Sequence, residues 1–167
     1  MLRQLKKLVR YLLGKTSELG DLDTKVLLLT KVILDIHRKK NSTAFVMTPL
    51  FSLNPIHAID RDNALEATRK RAGELMKIKD RLMKEKNITR EILAEYLPSV
   101  SWIKVVKERE GSYISYEGNG RLAAMQQVFT PEDGIMVEVE EYSFRKPAKI
   151  IRRMNRVRRM NGLIGKK

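Results

Sequence analysis

One short segment of the chain carries residues whose types and spacing suit phosphate chemistry. Residues 117–121 read Glu-Gly-Asn-Gly-Arg, and they join a segment with strand periodicity to a segment with helix periodicity. Glycines at such a turn allow positive φ angles and let backbone N–H groups approach a ligand closely. The helix N-terminus adds unpaired N–H donors and a partial positive charge, and both favour an anion. The segment is therefore a candidate phosphate-binding turn.

Two charged residues enclose this turn. Arg121 falls in the first turn of the predicted helix, where the helix dipole disfavours a cation, so its guanidinium there indicates an anionic ligand. We predict that phosphate is bound by the amides of Gly118, Asn119 and Gly120 together with Arg121. Glu117 is the candidate catalytic residue, as a base on a hydroxyl, a partner of a metal-bound nucleotide or an orienting group for Arg121. The alternative is an ordinary tight turn with a structural salt bridge between Glu117 and Arg121.

The elements that must position this turn follow from the periodicity of the chain. Strands are predicted at 44–47, 102–107 and 112–116, with a last strand that begins at residue 135. Helices are predicted at 61–86, 90–97 and 121–129. Strands interleaved with helices predict an α/β or α+β domain.

Residues 113–124 resemble the signature of the ParB/sulfiredoxin superfamily. In that family a strand runs into an acidic-Gly-x-x-Arg turn and then into a helix that opens Leu-Ala-Ala, as in Tyr-Ile-Ser-Tyr-Glu-Gly-Asn-Gly-Arg-Leu-Ala-Ala here. The order of the predicted elements is also similar over about residues 43–142. The resemblance implies an α+β fold with a small mixed sheet and flanking helices. It also implies a nucleotide phosphate at the turn. If the protein is an enzyme of phosphoryl transfer or hydrolysis, the expected ion is Mg²⁺, bound with the nucleotide and partnered by Glu117.

The residues carried over from the family are Glu117, Gly118 and Arg121. Other positions differ from the family pattern, and these differences exclude some of the family's reactions. Sulfiredoxin has its catalytic Cys where this chain has Asn119, and the chain contains no Cys, so reduction of a sulfinic acid is excluded. ParB has a Glu-Arg pair where this chain has Asn119 and Gly120. If the protein is an enzyme, we expect phosphoryl transfer or nucleoside triphosphate hydrolysis. His57, in the loop after the first predicted strand, is a candidate ligand-lining residue.

The composition excludes several other classes of site. With no Cys and two His, the 167-residue chain has no disulfide, thiol nucleophile or iron–sulfur cluster, and no metal site is predicted. The net charge of +14 is concentrated at the C-terminus, where residues 145–167 carry ten bases and no acid. Residues 1–144 carry 24 bases and 20 acids, a net charge of +4.

The C-terminal segment 145–167 is predicted to form a basic amphipathic helix. Ile150, Met154 and Val157 make an apolar stripe, and most of the bases lie off it. In one interpretation the stripe docks on the body and the arginines are solvated. In the other the helix binds a phosphate backbone, an anionic membrane surface or an acidic partner, and the two interpretations are not exclusive. The alternative function is therefore a non-enzymatic nucleic-acid-binding module. Under this interpretation, deletion of residues 145–167 should abolish nucleic-acid binding and leave the body folded. Its candidate contacts are Arg152, Arg153, Arg156 and Arg159.

The first forty residues are predicted to form a helical hairpin, with helices at 2–13 and 22–38, packed on an α/β domain of residues 41–144. A protein-interaction domain that docks through this hairpin, including in a homo-oligomer, is a third interpretation. No apolar run approaches the roughly 18 residues that a spanning helix needs, so no transmembrane segment is expected. We expect an intracellular, cytoplasmic protein, with organellar targeting by the basic helix 2–13 as the alternative.

Overall fold

A mixed sheet with helices on both faces forms the centre of the fold, which is α+β as predicted. The computed structural model describes residues 24–99 and 101–165. The helix predicted at 2–13, and with it the hairpin, lies outside the described residues. The strands are β1 (Ser42–Pro49), β2 (Leu53–Pro55), β3 (Asn87–Ile88), β4 (Lys104–Arg109), β5 (Ser112–Glu117) and β6 (Met136–Ser143). The helices are α1 (Thr24–Lys39), α2 (Asp62–Lys77), α3 (Lys79–Glu85), α4 (Arg90–Tyr96), α5 (Asn119–Val128) and α6 (Pro147–Met160).

The sheet order is β1-β6-β4-β5-β2, and β3 also pairs with β6. β4 and β5 form the antiparallel hairpin that the period-two pattern predicts, with Lys107 opposite Tyr113. β6 runs parallel to β4, and β2 runs parallel to β5. β5 is therefore an interior strand, and its carboxyl end delivers the chain to the Glu117–Arg121 turn.

Two apolar cores lie on opposite faces of the sheet. The first contains Leu75 of α2 and Leu122 of α5, packed with β-strand residues such as Val137. The second contains Ile36 of α1 and Met154 of α6. Both faces are thus covered, and the C-terminal helix is part of the folded body.

The docking of α6 follows the stripe seen in its sequence. Ile150, Met154 and Val157 are at most 2% exposed and pack against the sheet beside α1. Pro147 occupies the first turn, where its fixed φ suits a helix start. Within the described residues no helix has the length and hydropathy needed to cross a membrane.

The long helix predicted at 61–86 is wrong in one respect. The chain leaves helical geometry at Ile78, with φ −115° and ψ 11°, so two helices replace one. β2 and β3 were not predicted, because strands of three and two residues are too short to show a period. β2 matters for the site, since it extends the sheet beside β5.

Candidate phosphate-binding site

The turn between β5 and α5 depends on a glycine. Gly118 is the N-cap of α5 and has φ +84°, in the left-handed region that side chains rarely adopt. A Cβ on Gly118 would lie 2.9 Å from Cγ1 of Ile103 and 3.0 Å from its Cα. Positive φ and the close approach to the segment before β4 both require glycine here. The chain therefore reverses from strand into helix within a single residue.

The amino end of α5 lies at this reversal. The N–H groups of Arg121 and Leu122 both donate to the carbonyl oxygen of Gly118, at 3.0 Å each. That leaves the amides of Asn119 and Gly120 as the first-turn donors without an intrahelical acceptor. The positive end of the helix dipole coincides with these two amides, as expected for an anion site.

Arg121 is buried at this helix end and only partly satisfied. The residue is 3% exposed, and one guanidinium nitrogen, Nη2, donates to the carbonyl oxygen of Ser101. Its Nε is buried without a hydrogen-bond partner. Burial lowers the pKa of the guanidinium, and the charge of Arg71 lowers it further. The site thus holds a desolvated cation with an unused donor.

A second arginine, which the sequence analysis did not identify, converges on the same place. Arg71 lies on α2, and its Nη1 is 3.1 Å from the position that a Cβ on Gly120 would occupy. The absent side chain of Gly120 therefore makes room for the Arg71 guanidinium against the first turn of α5. In the described part of the chain Arg71 has neither an ion pair nor a hydrogen bond.

The sequence does not distinguish Arg71 from the other cations of its helix. Glu74 follows it by three residues, a spacing at which an ion pair along a helix can form. In the structure Glu74 pairs with Lys77 instead, at 2.8 Å. What the sequence does not reveal is that α2 packs across α5 and brings Arg71 to the turn.

Asn119 adds a polar group that is buried and unsatisfied. The residue is 5% exposed, and its Oδ1 has no hydrogen-bond partner. A buried polar atom without a partner costs free energy unless a ligand or water satisfies it. The predicted phosphate-binding residues are thus brought together, and Asn119 contributes a buried side chain as well as an amide.

Glu117 does not pair with Arg121. Its Oε2 lies 2.9 Å from Nζ of Lys104, across the β4–β5 hairpin. Burial raises the pKa of the Glu117 carboxyl, but hydrogen bonds from Ser101 and Lys104 outweigh that effect and hold the pKa below its ordinary value. The carboxylate is therefore stably ionised and a weak base.

An aromatic cluster lies close to the Glu117–Lys104 pair, at the end of α1. The His37 ring packs edge-on against Tyr116 and Tyr142, with ring centroids 6.0 and 5.6 Å apart. Burial lowers the pKa of His37, as do the charges of Lys104 and Lys40. The hydroxyl of Tyr116 is buried without a partner, and burial raises its pKa.

His57 follows β2 and makes a local hydrogen bond. Pro55, the last residue of β2, pairs with Ser115 of β5, so the chain after Pro55 runs near the end of β5. Nδ1 of His57 donates to the carbonyl oxygen of Ala58 at 2.9 Å. Its role as a ligand-lining residue stays a prediction.

The residues around the turn do not fit a resident Mg²⁺ ion. Mg²⁺ needs oxygen ligands, usually carboxylates, whereas this turn presents N–H donors and two guanidinium groups. Glu117, the carboxylate whose charge reaches Arg121, is paired with Lys104. Among residues 24–99 and 101–165 no group of three or more His, Cys, Asp and Glu side chains is placed to hold a metal ion.

The four arginines predicted as nucleic-acid contacts have different surroundings. Arg153 forms an ion pair with Asp35 of α1. Arg152 and Arg159 line a groove on the body, and Arg156 is exposed outside it. Of the four, Arg152 and Arg159 therefore share the groove, and Arg153 and Arg156 lie outside its lining.

The chain matches no family model, no curated protein and no solved structure. Membership of the ParB/sulfiredoxin superfamily therefore stays a prediction.

Proposed function

We propose that the protein binds a phosphorylated small molecule, such as a nucleotide, through the amino end of α5. The observation that carries this proposal is the convergence of Arg71 and Arg121 on a helix N-terminus without a paired carboxylate. The two guanidinium groups repel each other and are also repelled by the positive end of the helix dipole. Burial strengthens both repulsions. A bound anion converts this arrangement from unfavourable to favourable.

Phosphate fits the donors better than a simple halide or a single carboxylate. A phosphate group has several acceptor oxygens, which match two free amides and two planar guanidinium forks. The buried Oδ1 of Asn119 is an acceptor, so it favours a ligand that also carries a hydroxyl or amino donor. A phosphorylated sugar or a nucleotide has both features.

Binding, rather than turnover, is the function assigned to this site. Glu117 was the candidate catalytic residue, but its ion pair with Lys104 and its lowered pKa make it a poor acceptor of a proton. Its position suits holding β4 and β5 together beneath the turn. Phosphoryl transfer or hydrolysis would need a base that this pair does not supply.

Thermal unfolding in the presence of candidate ligands tests the proposal. Inorganic phosphate, ATP, ADP, CTP and GTP are compared, each with and without Mg²⁺. A ligand at 100 times its Kd stabilises the folded state by about 2.7 kcal/mol, so we expect a clear rise in Tm with at least one of them. Arg71→Ala should abolish the rise.

Arg69→Ala is the matched control, because Arg69 is exposed and lies two residues away on the same helix. It removes the same charge from α2 and should leave the ligand-induced rise in Tm intact. The proposal is wrong if no ligand raises the Tm of the unmodified protein. It is equally wrong if the Arg71 and Arg69 variants respond alike.

A further inference from the structure

A groove lies at the other end of β5, away from the phosphate-binding turn. It is bounded by the β4–β5 turn and the last turns of α6, and its volume is about 860 Å³. Ser112, the first residue of β5, lines it, whereas Glu117 ends the strand. At about 3.4 Å per residue the two ends of β5 are about 17 Å apart. The groove is therefore a separate feature.

The lining of this groove is strongly positive. Four arginines face one glutamate, Glu108, across it, and together they give the lining an excess of three positive charges. The carboxylate of Glu108 is already engaged by Nδ2 of Asn155 at 2.7 Å and by the hydroxyl of Ser112 at 3.2 Å. The arginines are Arg109, Arg152, Arg158 and Arg159. Most of their charge is thus left for a ligand.

Arg158 shows that part of the groove is built rather than merely exposed. The residue is 7% exposed, and its Nε is buried without a hydrogen-bond partner. Its Nη1 donates to Oδ1 of Asn155 at 3.2 Å, and Glu108 is 3.9 Å away. The guanidinium is thus fixed in place with a donor unused.

An aromatic ring stands at the rim of the same groove. Phe51, between β1 and β2, is 38% exposed although it is a large apolar side chain. An exposed aromatic next to arginines is the arrangement by which proteins stack bases of a single strand while they bind its phosphates. A duplex hides its bases and does not offer them to such a ring.

We propose that this groove binds a single-stranded nucleic acid, with its phosphodiesters on Arg109, Arg152, Arg158 and Arg159 and a base stacked on Phe51. This site is independent of the phosphate-binding turn at α5. It also places nucleic-acid binding on the groove side of α6, whereas Arg153 and Arg156 lie outside the lining.

Fluorescence anisotropy with labelled oligomers tests this proposal. Oligo-uridine and oligo-thymidine of about 12 nucleotides are compared with a duplex of the same length and with oligoglutamate, in about 50 mM salt. The full-length protein should bind at least one single strand more tightly than the duplex and the peptide. The plot of log affinity against log salt should have a slope of about −2 to −3, as expected for three or four neutralised phosphates.

Two double variants with equal charge loss on α6 separate the groove from general attraction. Arg152→Ala with Arg159→Ala should weaken binding about tenfold or more, because each removed arginine forfeits a phosphate contact. Lys149→Ala with Arg156→Ala, both exposed and outside the groove, should weaken it far less. Phe51→Ala should weaken binding by about fivefold or more, and its folded state is checked by circular dichroism.

Several results would overturn the proposal. Equal losses in the two double variants would show that binding is unspecific attraction to α6. An unchanged affinity in Phe51→Ala would remove the stacking contact, and tighter binding of oligoglutamate would assign the groove to acidic peptides. Arg71→Ala serves as a cross-check: it should leave oligomer binding intact, so failure at one site is distinguishable from failure at the other.

Discussion

At the scale of single residues, the two glycines of the turn have different physical reasons to be glycine. Gly118 has a positive φ and lies against Ile103. Its backbone conformation and this close contact both exclude any residue with a Cβ. A Cβ on Gly120 would meet chiefly the guanidinium of Arg71, the far end of a flexible side chain. The first glycine therefore serves folding, and the second serves the site.

Alanine substitutions should separate these two roles. Gly118→Ala is expected to lower the free energy of unfolding by about 1–3 kcal/mol, because the residue would be strained and crowded. Gly120→Ala should leave that free energy unchanged or raise it by up to about 1 kcal/mol, since alanine favours a helix. It should nevertheless weaken phosphate binding by displacing Arg71. Urea denaturation and the ligand-induced rise in Tm measure the two effects, and similar stability losses in both variants would refute the distinction.

His37 should make stability depend on pH in a window of its own. Burial and nearby lysines hold its pKa below the ordinary value of 6.5, so the unfolded chain takes up this proton at a higher pH than the folded protein. Stability should therefore fall as pH drops below about 6.5, whereas the lowered pKa of Glu117 acts only below its ordinary value of 4.5.

The check is the change in unfolding free energy between pH 7 and pH 5. His37→Gln should reduce this change, because it removes the imidazole whose pKa burial lowers. An identical pH dependence in the His37 variant and the unmodified protein would contradict the assignment.

At the scale of secondary-structure elements, the candidate site is made by two helices that are distant in sequence. The β5–α5 turn could be predicted, because its glycines and the change of period fall within ten residues. Arg71 could not be assigned to it, since its approach depends on how α2 packs across α5, about fifty residues away. The first amide of α4 is a second example of a contact that depends on tertiary packing. The N–H of Arg90 donates to the carboxylate of Glu138, on β6, at 2.9 Å.

The C-terminal helix should behave as a core element. Met154→Ala is expected to lower the free energy of unfolding by about 2–5 kcal/mol, because the side chain is fully buried between α6 and the sheet. Met76→Ala, at a methionine that is 56% exposed, should change it by less than about 0.5 kcal/mol. Comparable values for the two variants in urea denaturation would show that α6 is not docked as described.

Deletion of residues 145–167 should consequently unfold the body rather than leave it intact. The deletion would remove Ile150, Met154 and Val157 from the second core and expose the sheet face beneath them. The sequence showed the apolar stripe but left open what it packs against. Substitutions within the groove are for this reason the appropriate test of nucleic-acid binding.

At the scale of the whole molecule, the net charge of +14 does not show how the charged residues are distributed and paired. Part of it is neutralised locally, as in the ion pair between Arg153 and Asp35. The rest includes two separate clusters at opposite ends of β5. One is Arg71 with Arg121, and the other is the set of groove arginines, of which Arg158 lies 3.9 Å from Glu108. The sequence predicts an anion site at the β5–α5 turn and anion binding by the C-terminal helix. Both stay predictions, and the packing of helices on the two sheet faces determines where each set of residues lies.

The most direct test of the central claim is the unfolding free energy of Arg71→Ala without ligand and with a saturating phosphorylated ligand identified by the thermal screen. Without ligand, the variant should be as stable as the unmodified protein or more stable, because a repulsion with Arg121 is removed. With ligand, the unmodified protein should become the more stable of the two. A variant that is less stable without ligand, and whose difference from the unmodified protein does not change when ligand is added, would show that Arg71 is structural and would contradict the claim.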